Sequence, residues 1–508
     1  MRVRKREFAS SAVAGQRIAQ AAYNARPCTG MNRVRIGIDF GTSYSAAGAV
    51  VDGQLQLVRF GDDRQFRTTA YFPQALPDPA RFELTPALEA EVDALVRASR
   101  AEQARAATRA RELRDATGGT TSFVARSESQ LRRDALLAVR RDWLEAEVAR
   151  ARQSVAQLHD ALYGDAAIDA YLAEGDGHLV VSPKSMLGYK LHGQARDVLV
   201  GIALHILEHI RMTASEQLGA TVRHAVLGRP VEFRSSMGAA GGEQAIALLT
   251  EAAHGAGFDD ISFLEEPAAA AFGYHRDLDE AQRTLVVDIG GGTTDVALAE
   301  VGGARAAPAI LGAWGIAQGG TDVDLALSMR RFMPLFGKDH TRTPVHHYYE
   351  AAAVHDLQRQ QAFRARRGFE DMPEPYGRRM LALQAPGQTV RLQQGVEAMK
   401  IALSTQAIHA TSLDYIEPGL QVTSTGDELS DSARPYLHAL STLLENVRSQ
   451  LDRAPDTVFL TGGMSRSPDV QRTVAALFPA SALVRGDASL GVVSGLAVAA
   501  GTSAQVGG

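Results

Sequence analysis

One local pattern occurs twice in this chain, and it narrows the possible folds more than any other feature. From Val34, VRIGIDFGTSYSAAGAVVDGQLQLV alternates into Asp39, breaks at Gly41-Thr42, alternates again, turns at Asp52-Gly53 and enters a third short apolar run. From Thr284 the scheme returns as TLVVDI, GGGTTD and VALAEV, followed by a Gly302-Gly303 turn and APAILGAWG. Period-two alternation punctuated by Asp-Gly and Gly-Gly pairs predicts three-stranded meanders. Two such units, far apart in one chain, predict a duplicated architecture of two similar parts with no short solenoid period.

Elsewhere strands alternate with helices. RDVLVGIALHILEHIRMTASEQLG, GEQAIALLTEAAHGAG, GVEAMKIALS, SARPYLHALSTLLENVRSQL and PDVQRTVAALF carry helical spacing, whereas VRHAVLGRP and DTVFLTGG read as strands and ISFLEEPAAAAFGY as strand into helix. That alternation predicts an α/β fold with mixed sheets. Residues 83–175 shift to Ala, Arg, Glu and Leu and are expected to be helices broken at Gly118-Gly119, their arginines interleaved with acids as on a solvated face. A second biased stretch, residues 337–390, is rich in His, Arg, Gln and Pro and is expected to be an insertion of helices and loops.

Composition removes several function classes. The single cysteine, Cys28, excludes an intrachain disulfide and a thiolate zinc site and suits a reducing, cytoplasmic compartment. A net charge of -5 on 508 residues exerts no global pull toward nucleic acid or anionic lipid, so neither is expected as a partner. Without an unbroken apolar run of the required length, no bilayer-crossing helix is expected. The Arg-rich residues before Met31 are expected to lie outside the fold, as an over-extended start, a disordered tail or a transit-like leader.

Three turns carry candidate chemistry. Asp39-Phe40-Gly41-Thr42-Ser43 offers a carboxylate for a hydrated divalent cation and backbone N–H groups for phosphate oxygens, or simply a hairpin turn that satisfies its own backbone. In Asp288-Ile289-Gly290-Gly291-Gly292-Thr293-Thr294-Asp295, three successive glycines cost about 2–3 kcal/mol relative to alanine. Close approach of the backbone to a bulky anion offsets that cost, and the flanking carboxylates then need a cation between them. The strand in DTVFLTGGMSRSPDV ends at Gly462-Gly463 and enters a helix through Ser467-Pro468, which lets a flat ring approach the backbone or makes a plain strand-to-helix turn.

In order and spacing, Asp39-Phe40-Gly41-Thr42, residues 288–295 and residues 460–466 resemble the two phosphate motifs and the adenosine motif of the actin, sugar kinase and heat-shock ATPase superfamily. Within it the chain is most similar to the nucleotide-binding domain of DnaK-type seventy-kilodalton heat-shock chaperones, closest to the short YegD-like members. Glu265-Glu266-Pro267-Ala268-Ala269 resembles their hinge motif, and Ser182-Pro183-Lys184-Ser185 the segment of their catalytic lysine. Gly319-Gly320-Thr321-Asp322 resembles a second-lobe loop, and Glu397-Ala398-Met399-Lys400 with Ser404 an adenosine-side helix. The resemblance implies an α/β, actin-like ATPase fold: two similar lobes, each a mixed β-sheet flanked by helices, with a nucleotide cleft between them. It divides the chain into an extension (1–33), lobe I (34–280, completed by 487–503, with the helical insertion 83–175) and lobe II (281–486, with a helical subdomain and insertion over 320–455).

Residue by residue, the resemblance implies that Asp39, Asp288 and Asp295 hold the water shell of Mg²⁺. Gly41, Thr42, Ser43, Tyr44, Gly290, Gly291, Gly292 and Thr293 would surround the β- and γ-phosphates of ATP or ADP. Lys184 and Glu266, with Asp288, would place the attacking water. Gly320, Glu397, Lys400, Ser404, Gly462, Gly463 and Arg466 would enclose the adenosine. The implied activity is weak ATP hydrolysis controlling an unidentified protein partner, with a small-molecule kinase and an actin-like filament protein as alternatives. The sequence departs from the family at Ile401, where the chaperones carry an arginine that stacks on adenine. It also carries the Arg-rich insertion ahead of Lys184, in place of the family's usual subdomain. No acidic-flanked leucine linker follows SLGVVSGLAVAAG, so a nucleotide-binding part without a peptide clamp is expected. His205-Ile206-Leu207-Glu208-His209 fits an inverted zinc-peptidase pattern, but its apolar neighbours predict packing. His346, His347 and His355 are expected to be solvated loop histidines.

Overall fold

The computed structural model describes residues 34–73, 82–117, 126–153, 161–175, 177–191, 193–487 and 489–505. The expected extension, with Cys28, and the Gly118-Gly119 break lie outside the described residues. The chain separates into two compact units, one made of the residues up to Phe72 and from Asp160 onward, the other running from Pro73 to His159.

The larger unit contains two sheets built alike. Strands β1 (Arg35–Phe40), β2 (Tyr44–Val51) and β3 (Gln54–Leu57) form the first meander, with β4 (Phe66–Arg67) added to β2. A small antiparallel sheet follows, with β5 (Thr69–Phe72) between β6 (Leu162–Tyr163) and β7 (His178–Val181). The chain then supplies β8 (His224–Arg229) and β9 (Asp260–Glu265) to the first sheet, giving the order β3-β2-β1-β8-β9. The second meander is β10 (Gln282–Ile289), β11 (Thr294–Val301) and β12 (Ala309–Ile316). A hairpin, β13 (Ile408–Ser412) with β14 (Gln421–Thr425), precedes β15 (Thr457–Thr461) and β16 (Ala482–Arg485), and the second sheet runs β12-β11-β10-β15-β16. Each sheet is antiparallel within its meander and parallel beyond it. Both meanders turn on paired residues at positive φ, Asp52 (51°) with Gly53 (76°) in a two-residue loop, as a type I′ hairpin requires, and Gly302 (78°) with Gly303 (69°) at the start of the longer connection from β11 to β12. The duplication expected from the two sequence units is therefore present in strand order and pairing sense alike.

Central strands β10 and β15 are buried almost throughout, as expected where helices cover a sheet on both faces. Two helices, Glu266–Arg276 and Gly491–Gln505, meet over a core that includes Val226, Val286, Phe459 and Leu496. Their backbones nearly touch. A Cβ on Gly495 would stand 1.7 Å from the Ala269 carbonyl oxygen, and one on Gly37 in β1 would stand 2.3 Å from the Ala497 nitrogen. Only glycine allows the helix to lie so close to both neighbours.

Three expectations need correction. Within the stretch expected to be a helical subdomain, β13 and β14 pair over five residues each. Strand β6 lies inside the Arg-rich stretch expected to be helical, so the insertion interrupts a small sheet and does not replace it. One helix, Ala195–Leu218, is long and apolar enough by length and composition to cross a bilayer. It buries Leu199, Ile202, Ile206, Leu207 and Ile210 against its own unit, which accounts for its apolar face. In the smaller unit, helices Pro86–Thr117 and Glu128–Gln153 pack through Val92, Val96, Leu131, Ala135 and Val139. Its charges pair at the surface, as Arg132 does with Glu89 at 3.0 Å, in keeping with the solvated face expected there.

Candidate active site

The two glycine turns close in the same way. Gly41 N–H donates to the Tyr44 carbonyl at 3.1 Å and Gly290 N–H to the Thr293 carbonyl at 3.0 Å. The turns also face one another: a Cβ on Gly291 would stand 2.3 Å from the Ser43 hydroxyl, and one on Gly292 2.8 Å from that of Thr42. None of Gly290, Gly291 and Gly292 adopts a positive φ, and a Cβ on Gly290 would meet nothing nearer than 3.6 Å. The glycine run thus permits close approach of one turn to the other, a reason for it that stands beside the expected anion. The Gly290 carbonyl accepts from Gly320 N–H at 3.0 Å and that of Gly291 from Thr321 N–H at 2.8 Å, so the loop that opens the helix Gly320–Leu327 braces the second turn.

Lys184 enters from the 3-10 turn Pro183–Met186, whose preceding residue, Ser182, lies in the left-handed region at φ 55°. Glu266 opens the helix Glu266–Arg276, where proline is tolerated in the first turn and a carboxylate meets the positive end of the dipole. The two side chains form a hydrogen-bonded ion pair, with Lys184 6% and Glu266 8% exposed, so Lys184 is not a surface lysine. Asp288 and Asp295 stand directly opposite one another in the β10–β11 register, where like charges repel. Burial and then Glu266 push the Asp295 carboxyl up to about 8, although Thr293 and the Val231 N–H, 2.6 Å from Oδ1, hydrogen-bond to it. Burial, Glu266 and Asp295 hold Asp288 well above the usual carboxylate range. Burial and Glu266 raise Asp39 to about 7 against the pull of Lys184. Burial alone would lower the Lys184 ammonium, but Glu266 and Asp39 outweigh it and its pKa rises. One ammonium thus serves four carboxyl groups. Among the described residues no group of three or more His, Cys, Asp or Glu is placed to hold a metal ion directly.

The residues expected around an adenosine are partly engaged with one another. Glu397, on the helix Gln388–Leu403, accepts from Arg67 at 2.7 Å, and Arg67 also pairs with Asp165 at 2.8 Å and lies 5.0 Å from the centre of the Tyr44 ring. Lys400 pairs with Asp324 at 2.8 Å, whose carboxyl burial lifts to about 6 against that attraction. A Cβ on Gly320 would stand 3.2 Å from Met464 and 3.5 Å from Lys400 Nζ, while Gly462, at φ 80°, leaves only 2.3 Å between a Cβ and the Ile289 carbonyl oxygen. The exit of β15 therefore lies against the second turn. Ser404 spends its hydroxyl on the Lys400 carbonyl at 3.0 Å, and Gly463 and Arg466 are exposed on the turn after β15. These three join the others only by their place on these elements. Ile401 is 60% exposed.

Two arginines that the sequence did not single out belong to this cluster. Arg67 is one; Arg234 is the other, donating from Nε to the Gly292 carbonyl at 2.8 Å and from Nη2 to Thr321 Oγ1 at 3.2 Å and to Asp322. Neither stands in a motif, so nothing in the sequence flags it. His355 lies in a turn, as expected, but is only partly exposed, and burial and then Arg234 lower its pKa to about 4. His346 and His347 lie in the helix Val345–Ala352 and not in a loop. The His209 ring stacks on Tyr163 at 4.3 Å and meets Phe66 edge-on at 5.5 Å, a packing role for the peptidase-like motif.

Residues 236–313, which contain Glu266, Asp288 and Asp295, match the family model described as MreB/Mbl protein. Chaperone protein DnaK of Anaplasma marginale is 28% identical over 294 residues, 55% of this chain and 38% of that relative. Chaperone protein DnaK of Thermosipho africanus is 27% identical over 315 residues, 60% of this chain and 44% of that relative. The corresponding protein of Thermosipho melanesiensis is 26% identical over 287 residues, 54% and 40% of the two chains. The chain thus spans less than half the length of these curated relatives. Since the similarities reach MreB on one side and DnaK on the other, and one sheet plan is used twice, the chain has the actin-like ATPase fold and its sequence supports a place in the superfamily of actin-like and seventy-kilodalton heat-shock ATPases.

Proposed function

We propose that this chain binds ATP or ADP with Mg²⁺ between the 41–43 and 290–293 turns, cleaves ATP slowly to ADP and phosphate, and acts through its nucleotide state on a protein partner. The observation that carries this reading is the buried Lys184–Glu266 pair set among Asp39, Asp288 and Asp295 beside two facing glycine turns. Four carboxyl groups around one ammonium favour a further cation, and an all-oxygen environment suits a hard divalent ion. With no direct three-ligand set among the described residues, Asp39, Asp288 and Asp295 would hold such an ion through its water. When bound, the ion supplies neutralisation of charge on phosphate oxygens.

The chain's own groups do the remaining work. Lys184 places a fixed positive charge beside the turns, and Glu266, oriented by Lys184, is available to align a water molecule and accept its proton. Backbone N–H groups of the two turns, with Thr42, Ser43 and Thr293, offer donors to phosphate oxygens. Tyr44 would stand with the first turn on the phosphate side, and Gly320, Glu397, Lys400, Ser404, Gly462, Gly463 and Arg466 would bound the nucleoside. Transfer to water is favoured over transfer to a polyol because the buried Lys184–Glu266 pair lies among the carboxyl groups of the site, which supports a heat-shock-type reading, short and YegD-like by its motifs, over a sugar kinase. Calorimetric titration with ATP and ADP should show binding that EDTA weakens, and a polyol panel should yield no phosphorylated acceptor. Absence of binding at millimolar nucleotide, or rapid phosphate transfer to a polyol, contradicts the proposal.

A further inference from the structure

The His-, Arg-, Gln- and Pro-rich stretch is built into the fold. Its helices Val345–Ala352, Leu357–Ala365 and Tyr376–Gln384 contribute Tyr348, Phe363, Met380 and Leu383 to the main core. Gln360, 5% exposed, donates to the Glu350 carbonyl at 2.8 Å and accepts from Thr389 at 2.7 Å. Gln384 donates to the carbonyls of Phe363 at 2.7 Å and Arg366 at 3.0 Å. Buried and half-buried amides satisfied in this way fix the helices to one another as a rigid element.

That element also reaches the small sheet and the helix Gly164–Glu174 that packs on it. Arg364 Nη2 donates to the Tyr171 hydroxyl at 3.1 Å, and a Cβ on Gly387 would stand 2.4 Å from Leu172 Cδ2. Val181 and Met186 share one cavity wall with Val354, Gln360 and Arg364. The last contact touches the residue beside Lys184: the Ser185 hydroxyl bonds to the Ser182 carbonyl at 2.7 Å and lies 3.2 Å from the carbonyl of His355. A non-glycine residue such as Ser182 keeps a left-handed conformation only where its surroundings impose it, and His355 supplies part of those surroundings.

We propose that residues 354–390 form a strap that positions Lys184. Docked on Ser185, Tyr171 and Leu172, the strap holds the 182–187 turn in its strained form against Glu266. It also keeps the small sheet closed toward the helix Gln388–Leu403, so that a bound nucleotide leaves only when the strap lets go. Control of release rests on the nucleotide reading of the site, whereas the positioning of Lys184 does not. Arg364, Tyr171 and Leu172 act through the turn and are positioning residues.

Arg364→Ala and Leu172→Ala, each checked for an unchanged far-UV spectrum and a cooperative melt, test this. Hydrogen exchange of amides 182–188 in the ligand-free protein should quicken about tenfold on loss of a bond from a charged donor, while exchange within the helix Gly426–Gln450 stays as it was. Release of a fluorescent ADP analogue should quicken by a similar factor. Tyr171→Cys with Arg364→Cys in a Cys28→Ser background, joined by a bismaleimide, should slow both. Unchanged exchange of the Lys184 turn in both alanine variants overturns the proposal whatever the nucleotide does. Faster exchange with unchanged release overturns the closure of the cleft. Faster exchange in a protein that binds no nucleotide supports the strap and removes the nucleotide reading.

Discussion

Replacing Lys184 with methionine keeps the apolar stem but leaves Asp39, Glu266, Asp288 and Asp295 without their shared cation. Deleting one partner of a buried ion pair costs about 3–5 kcal/mol, and here that cost depends on pH. Burial and Glu266 raise Asp39 from 3.8 to about 7 and Asp295 from 3.8 to about 8, and Lys184 is a force that lowers both. A carboxyl whose pKa rises on folding contributes stability that is full below its unfolded value and lost as pH climbs through its folded value. Without Lys184 those folded values rise further. The variant's deficit is therefore smallest near about pH 6, where these carboxyls are largely protonated in either protein, and it grows by up to about 1.4 kcal/mol per pH unit for each proton the variant keeps and the wild type releases. It should approach about 3–5 kcal/mol near pH 9. Urea denaturation of both proteins in EDTA at fixed ionic strength, at the two pH values, measures it. An equal deficit at both pH values, or none at the higher one, refutes the picture of one ammonium serving a carboxylate cluster.

The same carboxyls make the ligand-free wild type lose stability as pH rises from about 4 to about 8, and Mg²⁺ with ADP should raise the melting temperature more at the upper end of that range than at the lower. Gly495→Ala drives a Cβ into the Ala269 backbone, which cannot rotate away, and should cost about 1–3 kcal/mol or more. Gly463→Ala, with nothing within 4 Å, should cost far less in the same chemical denaturation series. Arg67→Ala removes the ion pairs to Glu397 and Asp165 and the contact with the Tyr44 ring. It should destabilise by about 1–3 kcal/mol, and a double-mutant cycle with Glu397→Gln should show strong coupling.

The paired meanders were legible because their signals are local: period-two alternation and turn residues that tolerate positive φ at Asp52, Gly53, Gly302 and Gly303. Hairpin β13–β14 escaped because its strands are short and alternate between exposed and partly or fully buried positions, which in sequence resembles a polar loop. The turn residues stood out in sequence as a glycine run between two aspartates, but the close approach of the two turns did not, since the partners of Gly291 and Gly292 are Ser43 and Thr42 from the other meander. Burial of Lys184 could not be read either, because it depends on Glu266, 82 positions away. Arg67, Arg234 and the strap share that difficulty: their partners are distant in sequence, and a lone arginine or glutamine carries no period.

Phosphate release from ATP by the purified protein, with and without Mg²⁺, beside Lys184→Ala and Asp288→Asn, tests the central claim most directly. The wild type should release phosphate only with the metal, and each variant should be slower by about 10²–10³. A wild type that neither binds nor cleaves ATP, or variants that cleave it at the wild-type rate, would contradict it.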